Sequence, residues 1–171
     1  MRRFKPSTRS IAGAVAVSAV VAGLAVPAAG ARTAFNGNAC TLLSAAQLTP
    51  IHVGSKCRHK SIPAEFGGIN AGTIYWANWG TPFNGSVLVN VYDVQPAYVG
   101  PAKAKFDTDG TSVGVGDWSR FHGFANGKTA ARITFGVGNY IVDIAVDTQA
   151  KHPLKSKSQV VNLAKHIAGL L

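Results

Sequence analysis

The sequence predicts an α+β domain, an antiparallel sheet of about five strands with helices packed mainly on one face. Three observations carry this. Short β-rich runs are separated by Asn-Gly and Gly-rich turn signals, and they alternate apolar with polar residues. The chain then closes on a stretch whose apolar residues recur at helical spacing.

Residues 41–48 have helical spacing, with Thr41 or Ser44 as the cap and Pro50 as the stop. Residues 52–72 are rich in Gly, Pro, Ser and Lys, show little periodicity and read as a long loop. Residues 73–79 (TIYWANW) and 86–93 (SVLVNVYD) flank Asn84-Gly85, a strong turn pair, and form a hairpin. Residues 96–106 suit a helix, which Gly100-Pro101 must start, kink or split. A Gly-rich loop runs to Asp117.

Residues 118–125, 128–135 and 140–147 form a three-strand meander with turns at Asn126-Gly127 and 136–139. In the second strand Ala131, Ile133 and Phe135 share one face, opposite Arg132 and Thr134. In the third, Val142, Ile144 and Val146 oppose Ile141, Asp143 and Ala145. Residues 158–171 read as an amphipathic helix with Val160, Leu163, Ala164, Ile167, Leu170 and Leu171 on its apolar stripe.

The N-terminus reads differently. Arg2, Arg3, Lys5 and Arg9 precede an apolar run at 11–26, then Pro27 and Ala28-Ala29-Gly30-Ala31. A basic start, a short apolar run and a small-residue end are the three parts of a secretory signal. The run of 16 residues is shorter than a membrane-crossing helix requires. Residues 1–31 are therefore expected to be a signal peptide, 32–39 a flexible N-terminus and 40–171 one domain, secreted or held in the cell wall. Most residues expected around a twin-arginine pair are missing, so the general secretory route is expected. Removal of the signal leaves 13 basic and seven acidic residues, a formal charge of +6.

Cys40 and Cys57 are the only cysteines, and a pair in an exported chain reads as a disulfide. It closes a loop of 16 intervening residues, worth roughly 3 kcal/mol of chain entropy. A lipid anchor at Cys40 is excluded, because that residue lies nine positions past the cleavage point and follows polar Asn38.

Several features stand together in order: Cys40-Thr41-Leu42-Leu43-Ser44, an Asn/Gly hairpin, Gly114-Val115-Gly116-Asp117-Trp118 before a meander, and a final helix ending Ile167-Ala168-Gly169-Leu170-Leu171. In this the mature chain resembles small envelope and lipoprotein domains of actinobacteria, which are similar to the extracellular sensor domains of some membrane Ser/Thr kinases. Relatives often carry a lipid-anchor cysteine, which this chain lacks. They also often place the second cysteine on the first hairpin strand, where this chain has Tyr75-Trp76. The resemblance brings no catalytic residues.

Signals for chemistry are weak. Gly110-Thr111-Ser112-Val113-Gly114 has Gly-x-Ser-x-Gly spacing but lies in the Gly-rich loop before a strand rather than between a strand and a helix, so it makes no nucleophile elbow. The spacing of Ser119 and His122 puts them on opposite strand faces. Asp143 and Asp147 share a face, but at strand rise they stand ~13 Å apart, beyond the ~5–9.5 Å of a glycosidase pair. They read as solvated residues. His52, Cys57 and His59 lack metal-site spacing, and Asp107-x-Asp109-Gly110 lacks the rest of a calcium loop. Gly114-x-Gly116 and Gly136-x-Gly138 lack the third glycine of a nucleotide loop.

Two signals point to binding. Lys56, Arg58 and Lys60 form one basic cluster with His59, and Lys151, Lys155 and Lys157 form another with His152. Tyr75 and Trp79 share one face of the first hairpin strand, with Trp76 on the other, and exposed aromatic surface suits glycan stacking. The expectation is a non-enzymatic envelope module for an anionic or glycan-type ligand, without cofactor, metal or specific nucleic acid. Its partner is an anionic envelope polymer or another envelope protein. The alternatives are a small secreted hydrolase, or a structural envelope protein pairing through its sheet edge.

Overall fold

The computed structural model describes residues 35–81 and 83–171. The expected signal peptide lies outside the described residues. Six strands, β1 (Cys57–Phe66), β2 (Ile69–Gly80), β3 (Ser86–Val94), β4 (Trp118–Ala125), β5 (Ala130–Val137) and β6 (Tyr140–Asp147), form one sheet in the order β1-β2-β3-β6-β5-β4. All pairs are antiparallel. Two three-stranded meanders thus meet at β3–β6, where Val89 faces Ile144 and Asn90 faces Asp143.

The expected loop at 52–72 is corrected: it holds all of β1 and the start of β2, so the sheet has six strands rather than about five. β1 is an edge strand with every residue from Arg58 to Pro63 exposed, and it buries Ala64 alone. With so little to bury, it carries no apolar alternation to read. Gly67 and Gly68, at φ of 63° and 81°, close the β1–β2 hairpin with a conformation that side chains resist. The Lys56 carbonyl accepts from Gly80 N–H at 3.2 Å. By antiparallel alternation Arg58, Lys60 and Ile62 therefore hydrogen-bond inward to β2, while Cys57, His59, Ser61 and Pro63 aim their backbone groups outward. Pro63 consequently costs the ladder no bond.

One sheet face carries the main core. Trp79, Val87, Val89, Ile133, Phe135 and Ile144 are all at most 1% exposed. It is covered by α3 (Lys157–Ala168) through Val160, Leu163, Ala164 and Ile167. Gln159 fixes the start of α3. Its Oε1 accepts from Lys155 N–H at 2.6 Å, and its Nε2 donates to the Pro50 carbonyl at 2.9 Å. Short α1 (Ala45–Leu48), capped by Ser44, adds Leu48 to the same core. Cys40 and Cys57 are joined, with Cα atoms 5.9 Å apart, so the disulfide ties this N-terminal segment to the outermost strand.

The opposite face is partly covered too. The Gly100-Pro101 region is split as its sequence requires, into a 3-10 turn at Pro96–Tyr98 and α2 (Val99–Phe106). Ala102 and Phe106 of α2 pack over Val94, Ile141, Tyr92 and Trp118. Helices therefore sit on both faces, α1 and α3 over one and α2 over one end of the other. The rest of that second face is open. The six strands, both apolar clusters and the disulfide all fall within residues 35–171, so this segment holds what it needs to fold.

Candidate functional site

The aromatic pair expected to be exposed belongs to the covered face. Trp79 is 1% exposed and part of the main core. Tyr75 is half-buried, its ring 5.2 Å from Phe35 in an edge-on contact, and Phe35 also meets Tyr140 at 6.0 Å. The physical reason is the register: Trp79 lies opposite Val87 and next to Ala77–Val89 on the face that α3 covers. Trp76 takes the open face instead, with the Lys60 ammonium 5.3 Å from its ring centroid.

The two basic clusters, far apart in sequence, come to one end of the sheet. β1 starts there, β2 ends, β3 starts and β6 ends, since Gly80 pairs with Ser86 and Ser86 with Asp147. Lys56 precedes β1 and holds Gly80 through its carbonyl. On the far side, Gln149 Nε2 donates to the Phe83 carbonyl at 3.0 Å and to Asn84 Oδ1 at 3.1 Å. The β2–β3 turn is thus bracketed by the segments bearing Lys56 and Lys151. The His52 and His152 rings stack at 4.2 Å, joining those flanking segments directly. Lys128 joins the same end, because its carbonyl accepts from Leu154 N–H at 2.9 Å. Lys56, Lys128, Lys151 and Lys155 are exposed, while Lys157 is half-buried over the Phe121 ring at 5.1 Å. Segments 49–56, 80–85, 126–129 and 148–157 contain no acidic residue. Asp147, which closes β6, is exposed at this same end, whereas Glu65, Asp93 and Asp117 lie toward the other end of the sheet, at or near the far ends of β1, β3 and β4.

The open face also carries a polar row that the sequence reading missed. Across the strands run Lys60, Trp76, Asn90, Asp143, Thr134 and Arg120. Asp143 is 7% exposed. It accepts from Arg132 through both oxygens, at 2.7 and 3.2 Å, and from Thr134 Oγ1 at 3.1 Å. The expectation of a solvated Asp143 is therefore corrected; Asp147, two rows away, is exposed. A carboxylate set between Val142 and Ile144, in the middle of an apolar run from Ile141 to Val146, needs such partners, and that mismatch was the available signal.

His122 Nε2 stands 3.0 Å from Thr134 Oγ1. Asp143, ion-paired to Arg132, only accepts, so the Thr134 proton goes to it and His122 must donate Nε2–H to Thr134. That fixes the imidazole tautomer with Nδ1 as acceptor. Burial, and then the neighbouring Arg132 charge, lower the His122 pKa below its ordinary value and favour the neutral ring. Beside this network the β4 ladder shifts register between Phe121 and Phe124. With small Ala130 and Ala145 on the neighbouring strands, this leaves a cleft of about 410 Å³ lined by Leu88, His122, Phe124, Arg132 and Asp147.

The remaining chemical signals are committed elsewhere. Ser119 is buried and its Oγ accepts from Val113 and Val115 N–H at 3.3 and 3.2 Å, pinning the glycine-rich loop. It therefore shares no proton with His122. Cys57 is spent in the disulfide and His52 in the histidine stack. Asp107 is ion-paired to Arg120 at 2.8 Å.

No protein-family model matches the chain, and no curated protein and no solved structure matches it.

Proposed function

We propose that the chain is an exported, non-enzymatic binding module of the cell envelope for an anionic ligand. The supporting observation is the convergence of Lys56 with Lys151 and Lys155 at one end of the sheet, where these lysines and Lys128 outnumber Asp147. Arg58 and Lys60 extend this charge onto the open face, where Trp76 adds a stacking surface for a sugar or another planar group. Several like charges at one pole raise the local potential, favour polyanions and speed their capture.

Against hydrolysis stands the direction of the open-face hydrogen bonds. His122 gives its proton to Thr134 and Thr134 gives its own to Asp143, so the imidazole is not placed as a base toward that hydroxyl. Against edge pairing stands the charge on β1: Arg58 and Lys60 flank His59, and Pro63 interrupts the outward donors. The disulfide and the signal-like N-terminus support export.

Retention of residues 32–171 on dextran sulfate beads tests the reading. Binding at low salt, its loss at high salt, and weakening by Lys56→Glu with Lys151→Glu are expected. Equal retention of the double variant and the wild-type chain would sink it. Intact mass of the protein made in an exporting host tests the compartment. The expected species starts at Arg32 and is two hydrogens lighter than its reduced form.

A further inference from the structure

We infer that the basic end of the sheet docks on an anionic lipid bilayer, with Phe83 entering the acyl boundary and the surrounding lysines resting among the headgroups. This rests on the anionic-ligand reading above and narrows the partner to one kind of surface.

Phe83 is 89% exposed, the most exposed large apolar side chain among the described residues. It stands in the β2–β3 turn, between the basic segments. The turn is held in place. Thr81 N–H donates to the Gly85 carbonyl at 3.0 Å, Asn84 N–H to the Thr81 carbonyl at 3.1 Å, and Gln149 grips Phe83 and Asn84 from the side. A turn already ordered gives up little conformational freedom when it docks.

The pairing of ring and cations selects the partner. A wall polymer or a nucleic acid would satisfy Lys56, Lys128, Lys151 and Lys155, but by stacking it would cover one face of the phenyl ring and leave the other face and the edge, 89% exposed as they stand, in water. A bilayer with anionic headgroups supplies phosphates at the level of the ammonium groups and hydrocarbon just beneath them. Lysines suit that plane, since their stems lie along apolar material while their charged ends stay hydrated. Glu65, Asp93 and Asp117, toward the other end of the sheet, are carried away from the negative surface, and Asp147, which stays at the docking end, is outnumbered there by the four lysines. Among the described residues no helix is long and apolar enough to cross a membrane, so the contact is peripheral.

The test uses residues 32–171, which leave out the apolar run at 11–26, with sedimentation on vesicles of phosphatidylglycerol and phosphatidylcholine at equal parts. Vesicles of phosphatidylcholine alone are the neutral control, and soluble dextran sulfate is the non-lipid polyanion. Binding to the anionic vesicles is expected, with little to the neutral ones. Phe83→Ser should weaken vesicle binding by about tenfold while leaving dextran sulfate binding unchanged. Lys151→Glu with Lys155→Glu should weaken both, by about thirtyfold or more on vesicles. Phe83→Trp should gain a blue-shifted emission on anionic vesicles, quenched by bromine-labelled acyl chains, above the signal of the native tryptophans. Vesicle binding indifferent to Phe83→Ser, or an unquenched Trp at 83, would overturn the inference. So would dextran sulfate binding without vesicle binding, which would leave the broader anionic reading intact. Indifference to both probes would remove the two together.

Discussion

Arg132 holds Asp143 by two hydrogen bonds, Nε to Oδ1 at 2.7 Å and Nη2 to Oδ2 at 3.2 Å, across neighbouring strands. The arginine is half in solvent, whereas the carboxylate is nearly sealed. Removing the arginine therefore strips a buried charge of its counter-ion. Arg132→Ala is expected to cost about 2 kcal/mol, read from urea unfolding. In the Asp143→Asn background the same substitution should cost much less, because no buried charge is then left unpaired. Equal costs in both backgrounds would mean the pair is not coupled.

The same arginine acts on His122. Burial first, and the Arg132 charge second, push the imidazole pKa below its ordinary value. As pH falls through the ordinary histidine range, the unfolded chain takes up a proton that the folded one declines. His122 thus favours the folded state above that range, and this contribution is lost as pH drops toward the folded pKa. Proton NMR of the ring should show a midpoint below that of a histidine peptide. In Arg132→Ala the midpoint should rise, since a repelling charge is gone and Asp143 is left to attract the proton. A fall in that variant would contradict the network.

Trp76 and Trp79 should separate stability from binding. Trp79→Ala empties a site in the main core and is expected to cost about 3–5 kcal/mol. Trp76→Ala, on the half-exposed side, should leave unfolding nearly unchanged while reducing retention on a glycan or polyanion matrix. Thermal melts beside column retention check both, and the reverse pattern would restore Trp79 as a contact residue.

Gly136 makes room for a ring. A methyl group there would run into the indole of Trp118 on β4, across the β4–β5 pair. Gly136→Ala is expected to displace that indole and cost about 1–3 kcal/mol. Because Trp118 belongs to the small cluster under α2, its fluorescence should change along with the melting temperature. Unaltered emission would show that the ring finds space without moving.

Reduction should loosen the N-terminal segment. Cys40→Ser with Cys57→Ser is expected to lower stability by about 3 kcal/mol, measured by denaturant unfolding. A midpoint equal to that of the oxidised chain would show that the bond constrains little.

Legibility followed burial. β2, β3 and β6 lie between neighbours and over a core, so Val87, Val89 and Val91, or Val142, Ile144 and Val146, mark one face by alternation. The apolar stripe made α3 readable in the same way, whereas the capping role of Gln159 was not read. β1 has one neighbour and exposed side chains on both sides, so its sequence resembles a loop. Tyr75 and Trp79 were rightly given a common face, but nothing local to that strand says which face α3 will cover. The basic residues could be named, whereas their meeting depends on Lys56 entering the sheet at the end where Asp147 leaves it. That is a property of topology. The polar row was hidden for a similar reason: Arg132 and Asp143 lie 11 positions apart and meet through register alone.

The outward row of β1 has a consequence for crowding. Where many copies are packed together, an open ladder invites the next copy to continue it. Here a newcomer would find no donor at Pro63 and would bring its own Arg58 and Lys60 up against the same cations. On the β1 side, growth of the sheet by a like strand is therefore opposed both by a missing donor and by like charge.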